Sequence, residues 1–252
     1  MPLKTIAFFN VKGGVGKTTS AVNIAYLAAQ HRMNTLLWDL DPQSCASWYL
    51  GVPDDLQQKA LRVFKGKTPI GKLRINTPYP KLKVIPADMS LRKLEILLGE
   101  EAQSRRLLAK LADNLSEKNK LLIFDCAPAF SKVTENIFTC CDVLVVPLLP
   151  SPLSLRSFNQ LNQYVKSKKK WKHLELHPFF TMVDRRRKIH NETINNAKKL
   201  IGMRDPVCIP YTSELEKMGI HQQPIYQYAG KTPGALAYQT LWEQLVLQHK
   251  LS

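Results

Sequence analysis

Acidic residues are scarce in this sequence: 20 Asp and Glu stand against 36 Lys and Arg, a formal charge of +16 over 252 residues. No run of 18 or more apolar residues occurs, which excludes a membrane-spanning helix. An apolar β-type run starts already at Leu3, leaving no room ahead of it for a signal peptide. Cysteine is sparse and unpatterned. Cys45, Cys126, Cys140, Cys141 and Cys208 are odd in number, and the adjacent pair is not a C-x-x-C. They read as reduced, mostly buried thiols of a cytoplasmic protein and argue against a zinc or iron-sulfur site. No Gly/Ser linker and no repeat divides the chain, so a single domain over residues 1–252 is expected, long enough for a sizeable core.

The surplus of positive charge is concentrated. From Ser151 to Arg204 there are 13 Lys and Arg but 3 Asp and Glu. A polyanionic partner follows, nucleic acid before anionic membrane, against the plainer reading of a merely solvated basic surface.

The chain is organised around Asn10-Val11-Lys12-Gly13-Gly14-Val15-Gly16-Lys17-Thr18-Thr19. The short apolar run Leu3–Phe9 precedes it, and Ser20–Ala29 follows with apolar residues at helical spacing. Strand, glycine-rich turn and helix form the context of a phosphate-binding loop. Glycines let several N–H groups converge on phosphate oxygens, and the helix N-terminus adds partial positive charge. Lys17 is placed for the β- and γ-phosphates, Thr18 for Mg²⁺ and Thr19 for the α-phosphate. The loop departs from G-x-x-x-x-G-K-[ST], with Val11 where glycine is usual and a second lysine, Lys12, ahead of the glycine pair. A glycine-rich turn with two incidental lysines would not explain the flanking strand and helix.

Two further strands end in acids. Asn34–Trp38 runs into Asp39-Leu40-Asp41-Pro42-Gln43, and Lys120–Phe124 into Asp125. Carboxylates at strand C-termini fall where open parallel sheets bind ligands. One of Asp39 and Asp41 suits the magnesium waters and the other an attacking water, and Asp125 also suits the metal. A polar turn would account for one such Asp but not for both. The segment Cys126–Ser131 is placed to sense the γ-phosphate.

Further strands are expected at Leu82–Pro86, Asp142–Pro147, Pro178–Val183 and Val207–Pro210. Helices are expected at Leu56–Phe64, Met89–Leu98 (closed by Gly99), Ala102–Leu115, Leu153–Lys170, 190–202 and from Thr232 to Lys250. Trp48, Tyr49 and Leu50 are expected to cover the loop from the core side. Leu236, Tyr238, Leu241, Leu245 and Val246 are expected to dock the last helix. Strand and helix alternate throughout, so the fold class is α/β: a doubly wound, mostly parallel sheet with helices on both faces. Two basic clusters stand out, Lys166, Lys168, Lys169, Lys170 and Lys172 with Trp171 interleaved, and Arg185, Arg186, Arg187 and Lys188. Cations at a helix C-terminus suit its macrodipole, which explains part of the first.

Lys12–Thr19, Asp39-Leu40-Asp41-Pro42-Gln43 and Ile123-Phe124-Asp125 together resemble the ParA/MinD family of deviant Walker A ATPases. The likeness extends through Ile85-Pro86-Ala87 and Val146-Pro147 to Ile209-Pro210, and is nearest to the small ParA type, which lacks a DNA-reading helix-turn-helix domain. The resemblance implies ATP and Mg²⁺ as cofactors and an ATP-dependent homodimer in which Lys12 reaches the partner's phosphates. It makes Asp41 the acid that positions the hydrolytic water and Asp125 the acid that organises Mg²⁺. It implies slow hydrolysis stimulated by an adaptor of ParB type, non-specific DNA binding and a cytoplasmic, nucleoid-associated location. The cargo would be a plasmid, a chromosome or a protein-based organelle. The basic clusters are candidates for the DNA face, and Met182 and Pro210 for the adenine. The chain departs from the family pattern in Asp125-Cys126-Ala127-Pro128, where D-x-P-P is frequent, and in Tyr211 after Ile-Pro, where arginine is frequent nearby.

The alternative is a MinD-like membrane-associated positioning ATPase. That class needs a basic amphipathic tail, whereas Leu241–Ser252 holds one lysine and one glutamate. An amidoligase on the same core would need an added glutaminase region, and an iron-sulfur reductase would need paired loop cysteines.

Overall fold

The computed structural model describes residues 3–53, 60–100 and 106–251. Its strands are β1 (Lys4–Phe8), β2 (Thr35–Asp39), β3 (Ile75–Asn76), β4 (Leu82–Ile85), β5 (Leu121–Asp125), β6 (Val143–Leu148), β7 (Glu175–Val183) and β8 (Cys208–Pro210). The helices are α1 (Lys17–Gln30), α2 (Cys45–Tyr49), α3 (Ala60–Phe64), α4 (Leu94–Glu100), α5 (Leu107–Asp113) and α6 (Lys132–Cys140) in the first part. They continue as α7 (Pro152–Ser167), α8 (Lys188–Ile201), α9 (Ser213–Glu216), α10 (Met218–His221), α11 (Ile225–Ala229) and α12 (Pro233–His249).

One eight-stranded sheet runs in the order β3-β4-β2-β5-β1-β6-β7-β8. All neighbours pair in parallel except β3, which is antiparallel to β4. The inner strands are apolar and fully buried, as a sheet covered on both faces requires. From β1 the chain winds first to one side and later to the other, and right-handed crossovers then place helices on both faces. The point of reversal lies beside β1, so the crevice at its C-terminal end is the natural ligand site.

Helix α1 is buried nearly all round, and Ala21, Ala25, Ala28 and Ala29 let it sit close between sheet and α12. Ser20 Oγ and Tyr238 Oη join the two helices at 3.0 Å. Away from that helix pair, Phe138 packs edge-on against Phe9 and Trp171, at 5.1 and 5.3 Å between centroids. Burying each such ring contributes roughly 1.5–3 kcal/mol.

The expected fold class holds, with local corrections. The expected helix from Leu153 to Lys170 ends at Ser167 and gives way to a 3-10 turn over Lys169–Trp171. Gly99 does not close its helix, which continues to Glu100. The starts of the helices expected from Leu56 and Ala102 lie outside the described residues. Trp48 does not face the core: it is 56% exposed, with its indole N–H donating to Gly219 O at 3.1 Å. Leu236 is also exposed, and Trp242 occupies the buried face of α12 in its place. Of the five thiols, Cys126 and Cys141 are buried, Cys140 and Cys208 half-buried and Cys45 exposed. Among the described residues no helix is long and apolar enough to cross a membrane.

Candidate functional site

The loop between β1 and α1 is fixed before it turns. Asn10 is buried; its Nδ2 donates to Pro147 O at 2.7 Å and its Oδ1 accepts from Lys12 N at 3.0 Å. That side chain ties the loop to β6. Gly14 and Gly16 then take φ of 70° and 81°, the left-handed region that side chains avoid. A Cβ at Gly13 or Gly14 would meet nothing within 4 Å, so the loop backs onto open space. From β7, Thr181 Oγ1 donates to Val15 O at 3.0 Å and braces the far side.

The two lysines differ. Lys17 opens α1, is buried, and donates from Nζ to Lys12 O at 3.2 Å. Burial lowers its pKa, while Asp125, Cys126 and Asp41 pull it back up. The Lys12 side chain is half-buried and makes no hydrogen bond or ion pair within the described residues. One lysine is turned into its own loop and the other is left unpaired.

Strand order assembles the acids. Asp39 and Asp125 are register partners at the ends of β2 and β5, and Asp125 is level with Phe8 of β1. Both carboxylates are fully buried. Asp39 accepts from Asp41 N at 3.0 Å through Oδ1 and from Ala46 N at 3.1 Å through Oδ2. It therefore shapes the turn carrying Asp41 and anchors α2, a positioning role that the assignment to magnesium did not include. Neither oxygen of Asp125 has a hydrogen-bond partner. The Thr18 hydroxyl and Lys17 ammonium face it, and Thr18 approaches without completing a bond in full geometry. Burial raises Asp125 to about 7, with Asp41 adding to the rise and Thr18 and Lys17 opposing it. Burial and then the Asp125 charge raise Asp39 strongly, against its two amide bonds. Two adjacent buried carboxylates cannot both ionise cheaply, so the site is short of positive charge. A buried, unpartnered carboxylate beside a threonine hydroxyl is an oxygen donor set suited to a hydrated Mg²⁺. Asp41 is half-buried; its Oδ1 accepts from Gln43 N at 3.0 Å.

A cleft of about 280 Å³ opens beside the loop. Gly14, Gly16 and Thr19 form one wall, and Met182 and Pro210 line the other, so both residues singled out for a base lie there. A bulge in the β7–β8 pairing puts Met182 at φ 53° with its side chain partly exposed. Such a conformation in a non-glycine residue is strained and marks functional edges. Tyr49, expected as cover for the loop, also lines this cleft, and Tyr211, Thr212 and Glu216 line it without having been singled out for the site. Tyr211 could have been found from its place directly after Ile-Pro, whereas nothing local marks Glu216.

The structure does not bring the two basic clusters together. Lys166–Lys172 precede β7 and Arg185–Lys188 follow it, so nine strand residues separate them, roughly 25 Å at ordinary rise. The clusters also differ electrostatically. The lysines sit at the C-terminal end of α7, where the macrodipole favours cations. Lys170 pairs with Glu135 at 3.1 Å and lies over Trp171, and Lys168 lies over Tyr164. The arginines sit at the N-terminus of α8, where the macrodipole disfavours cations. Arg186 is held by Asp184 through two bonds, at 2.9 and 2.8 Å. Arg187 makes no side-chain bond within the described residues and borders a second cleft, of about 550 Å³, with Met182 and Tyr211. Lys188 pairs with Glu192 one turn on at 3.7 Å, but the helix dipole does not explain the arginines, and the cluster lies at the phosphate-loop end of the sheet.

Comparison with known proteins agrees with this geometry. A family model described as an AAA domain matches residues 3–177. The chain is 32% identical to the chromosome-partitioning ATPase Soj of Treponema pallidum, covering 96% of this chain and 97% of that one. It is 30% identical to the chromosome partitioning protein ParA of Caulobacter vibrioides, over 99% and 96% of the two chains. Among solved structures, the cobyrinic acid a,c-diamide synthase of Mycobacterium smegmatis with bound ATP analog and magnesium superposes with a TM-score of 0.82. That match has 24% identity over 98% of this chain and 96% of the other, a likeness of fold alone. The glycine loop with its paired lysines, the acids gathered at the ends of β2 and β5, and full-length similarity to Soj and ParA lead to one conclusion: the chain belongs to the ParA/MinD family of deviant Walker A ATPases.

Proposed function

We propose that this protein binds ATP and Mg²⁺, dimerises face to face on the nucleotide, and hydrolyses ATP slowly. The ATP-bound dimer binds DNA without sequence preference. An adaptor of ParB type, or a cargo-specific equivalent, stimulates turnover, and the cycle positions or segregates a plasmid, a chromosome or a protein-based organelle. The place of action is the cytoplasm, on the nucleoid. The observation that carries the ATPase reading is the unpartnered Asp125 carboxylate beside Thr18 and Lys17, facing a glycine cradle with open space in front.

The loop amides from Gly13 to Thr19 would cradle the phosphates, with Lys17 on the β- and γ-phosphates. Thr18 and Asp125 would hold the hydrated metal, which neutralises triphosphate charge when bound. Asp41, on the turn that Asp39 holds, orients the attacking water. The unpaired Lys12 ammonium reaches into the opposite subunit, where it offsets charge on the leaving oxygen, as an arginine finger does in other phosphoryl transfers. Met182 and Pro210 border the base.

DNA contact follows from charge. Each cation–phosphate contact is weak and salt-screened, so two copies of a basic face bind far better than one. Arg185–Lys188 are the better placed cluster, because they lie at the phosphate-loop end and have no helix-dipole explanation. Binding to non-specific duplex DNA should be measured against salt with ATP, with ADP and with Lys12→Ala. Tight binding only for the unmodified protein with ATP is expected. Equal affinity in all three would remove the nucleotide switch.

A further inference from the structure

A cleft larger than the two beside the phosphate loop lies at the other end of β7 from the nucleotide site, and the proposed function does not use it. It encloses about 730 Å³ between the start of β7, the C-terminal ends of α7 and α8, and the last turns of α12. Its floor is apolar, with Phe158, Val165, Trp171 and Met203 buried there. Lys166, Lys172 and Arg204 line it, and none of the three makes an ion pair within the described residues. Glu175, the one acid of the lining, is engaged by His249 Nδ1 at 2.6 Å.

The second observation is a buried imidazole. His177 lines the same cleft, is 6% exposed, and its Nε2 has no hydrogen-bond partner. Its Nδ1 lies 3.0 Å from His249 Nε2. The Glu175 carboxylate only accepts, so His249 Nδ1 carries a proton. His177 Nδ1 shares its hydrogen bond with His249 Nε2, and Nε2 is the polar atom of the ring left without a partner. Burial, with His249 alongside, lowers the His177 pKa to about 4, so the ring stays neutral; the Gln248 side chain opposes that shift without completing a bond to Nε2. Buried polar atoms are seldom left without a partner.

We propose that this cleft is a binding site for a small organic anion. The ligand carries a phosphate, sulfonate or carboxylate for Lys166, Lys172 and Arg204, an apolar ring or chain for the Phe158–Trp171–Met203 floor, and a hydrogen-bonding group for His177 Nε2. The volume is in the range of small-molecule sites, which combine apolar walls with a few convergent polar groups. This assignment also gives Lys166 and Lys172 a task apart from DNA. It does not depend on the ATPase reading.

The probe is 8-anilinonaphthalene-1-sulfonate, an aromatic sulfonate with one N–H. It is titrated by fluorescence into the full chain, with the nucleotide site filled by AMPPNP and Mg²⁺. Saturable binding of one probe per chain is expected. Arg204→Glu, at an exposed position, should weaken it about tenfold, the effect of removing one charge-assisted hydrogen bond. His177→Phe, which keeps an aromatic ring but removes its polar nitrogens, should weaken it severalfold. Lys83→Glu, on β4 at the far side of the sheet, should leave it unchanged. If His177→Phe does not fold, Arg204→Glu with its circular dichroism spectrum still decides. Absence of saturable binding, or equal affinity in Arg204→Glu, would overturn the proposal. Displacement of the probe by duplex DNA at low salt would also overturn it, assigning the cleft to a nucleic-acid face.

Discussion

At the scale of single residues, Asp125 is a fully buried carboxylate without a hydrogen-bond partner. A buried carboxylate with no partner costs stability whenever it is charged. Its pKa is raised from 3.8 to about 7 in the folded chain, so the native state keeps a proton that the unfolded chain has lost. Stability of the nucleotide-free protein therefore falls as pH rises from about 4 through about 7. Asp125→Asn should reduce that slope, leaving the part that buried Asp39 contributes, and raise stability at pH 8 by about 1–3 kcal/mol, read by urea unfolding across pH. The same substitution should lower magnesium-dependent phosphate release about 10–100-fold. A variant that is no more stable and fully active would remove Asp125 from the metal site. Asn10 is the opposite case, a buried side chain with both ends used. Asn10→Ala leaves Pro147 O and Lys12 N unpaired and should cost about 1–3 kcal/mol by thermal or urea unfolding, with weaker ATP binding by calorimetry.

At the scale of elements, strand, loop and first helix were legible because the information is contiguous: β1, the glycines and α1 follow one another in sequence. The acids at the ends of β2 and β5 were legible as strand termini. That Asp39 accepts two amides while Asp125 accepts none was not legible, since it depends on where α2 starts and on the register of two distant strands. The left-handed Met182 was hidden for a similar reason, because a bulge arises from the mismatch of two strands. The basic clusters were visible as charge, but whether a helix end explains them required the boundaries of α7 and α8. Those boundaries yield a prediction. Arg187→Gln removes a cation from a helix N-terminus, so it should stabilise α8 by about 0.3–1 kcal/mol. It should also weaken DNA binding and reduce the salt slope by about 0.9 for each phosphate that is no longer neutralised. Lys169→Gln, at a helix C-terminus, should not combine a gain in stability with weaker DNA binding. Salt titrations of both variants, alongside their unfolding midpoints, separate the clusters.

At the scale of the whole molecule, one sheet carries two sites at opposite ends of β7. The nucleotide end has unmet demand for positive charge at Asp39 and Asp125 and an unmet supply at Lys12. Within one protomer the two do not cancel: in the proposed cycle the hydrated metal answers the acids, and the triphosphate of a facing protomer answers Lys12. The family resemblance was readable over nearly the whole chain because its motifs are short contiguous stretches, most of them at or just after strand ends. The 730 Å³ cleft has no motif and was not read from sequence: its walls come from α7, β7, α8 and α12, which are far apart in the chain.

The most direct test is the mass of the Asp41→Ala protein by light scattering in ATP and Mg²⁺, where hydrolysis is blocked and the assembled state accumulates. A dimer in ATP, a monomer in ADP, and a monomer in ATP once Lys12→Ala is added are the expected results. A protomer that stays single when saturated with ATP, or a dimer that forms equally well without Lys12, would contradict the coupling of nucleotide binding to pairing.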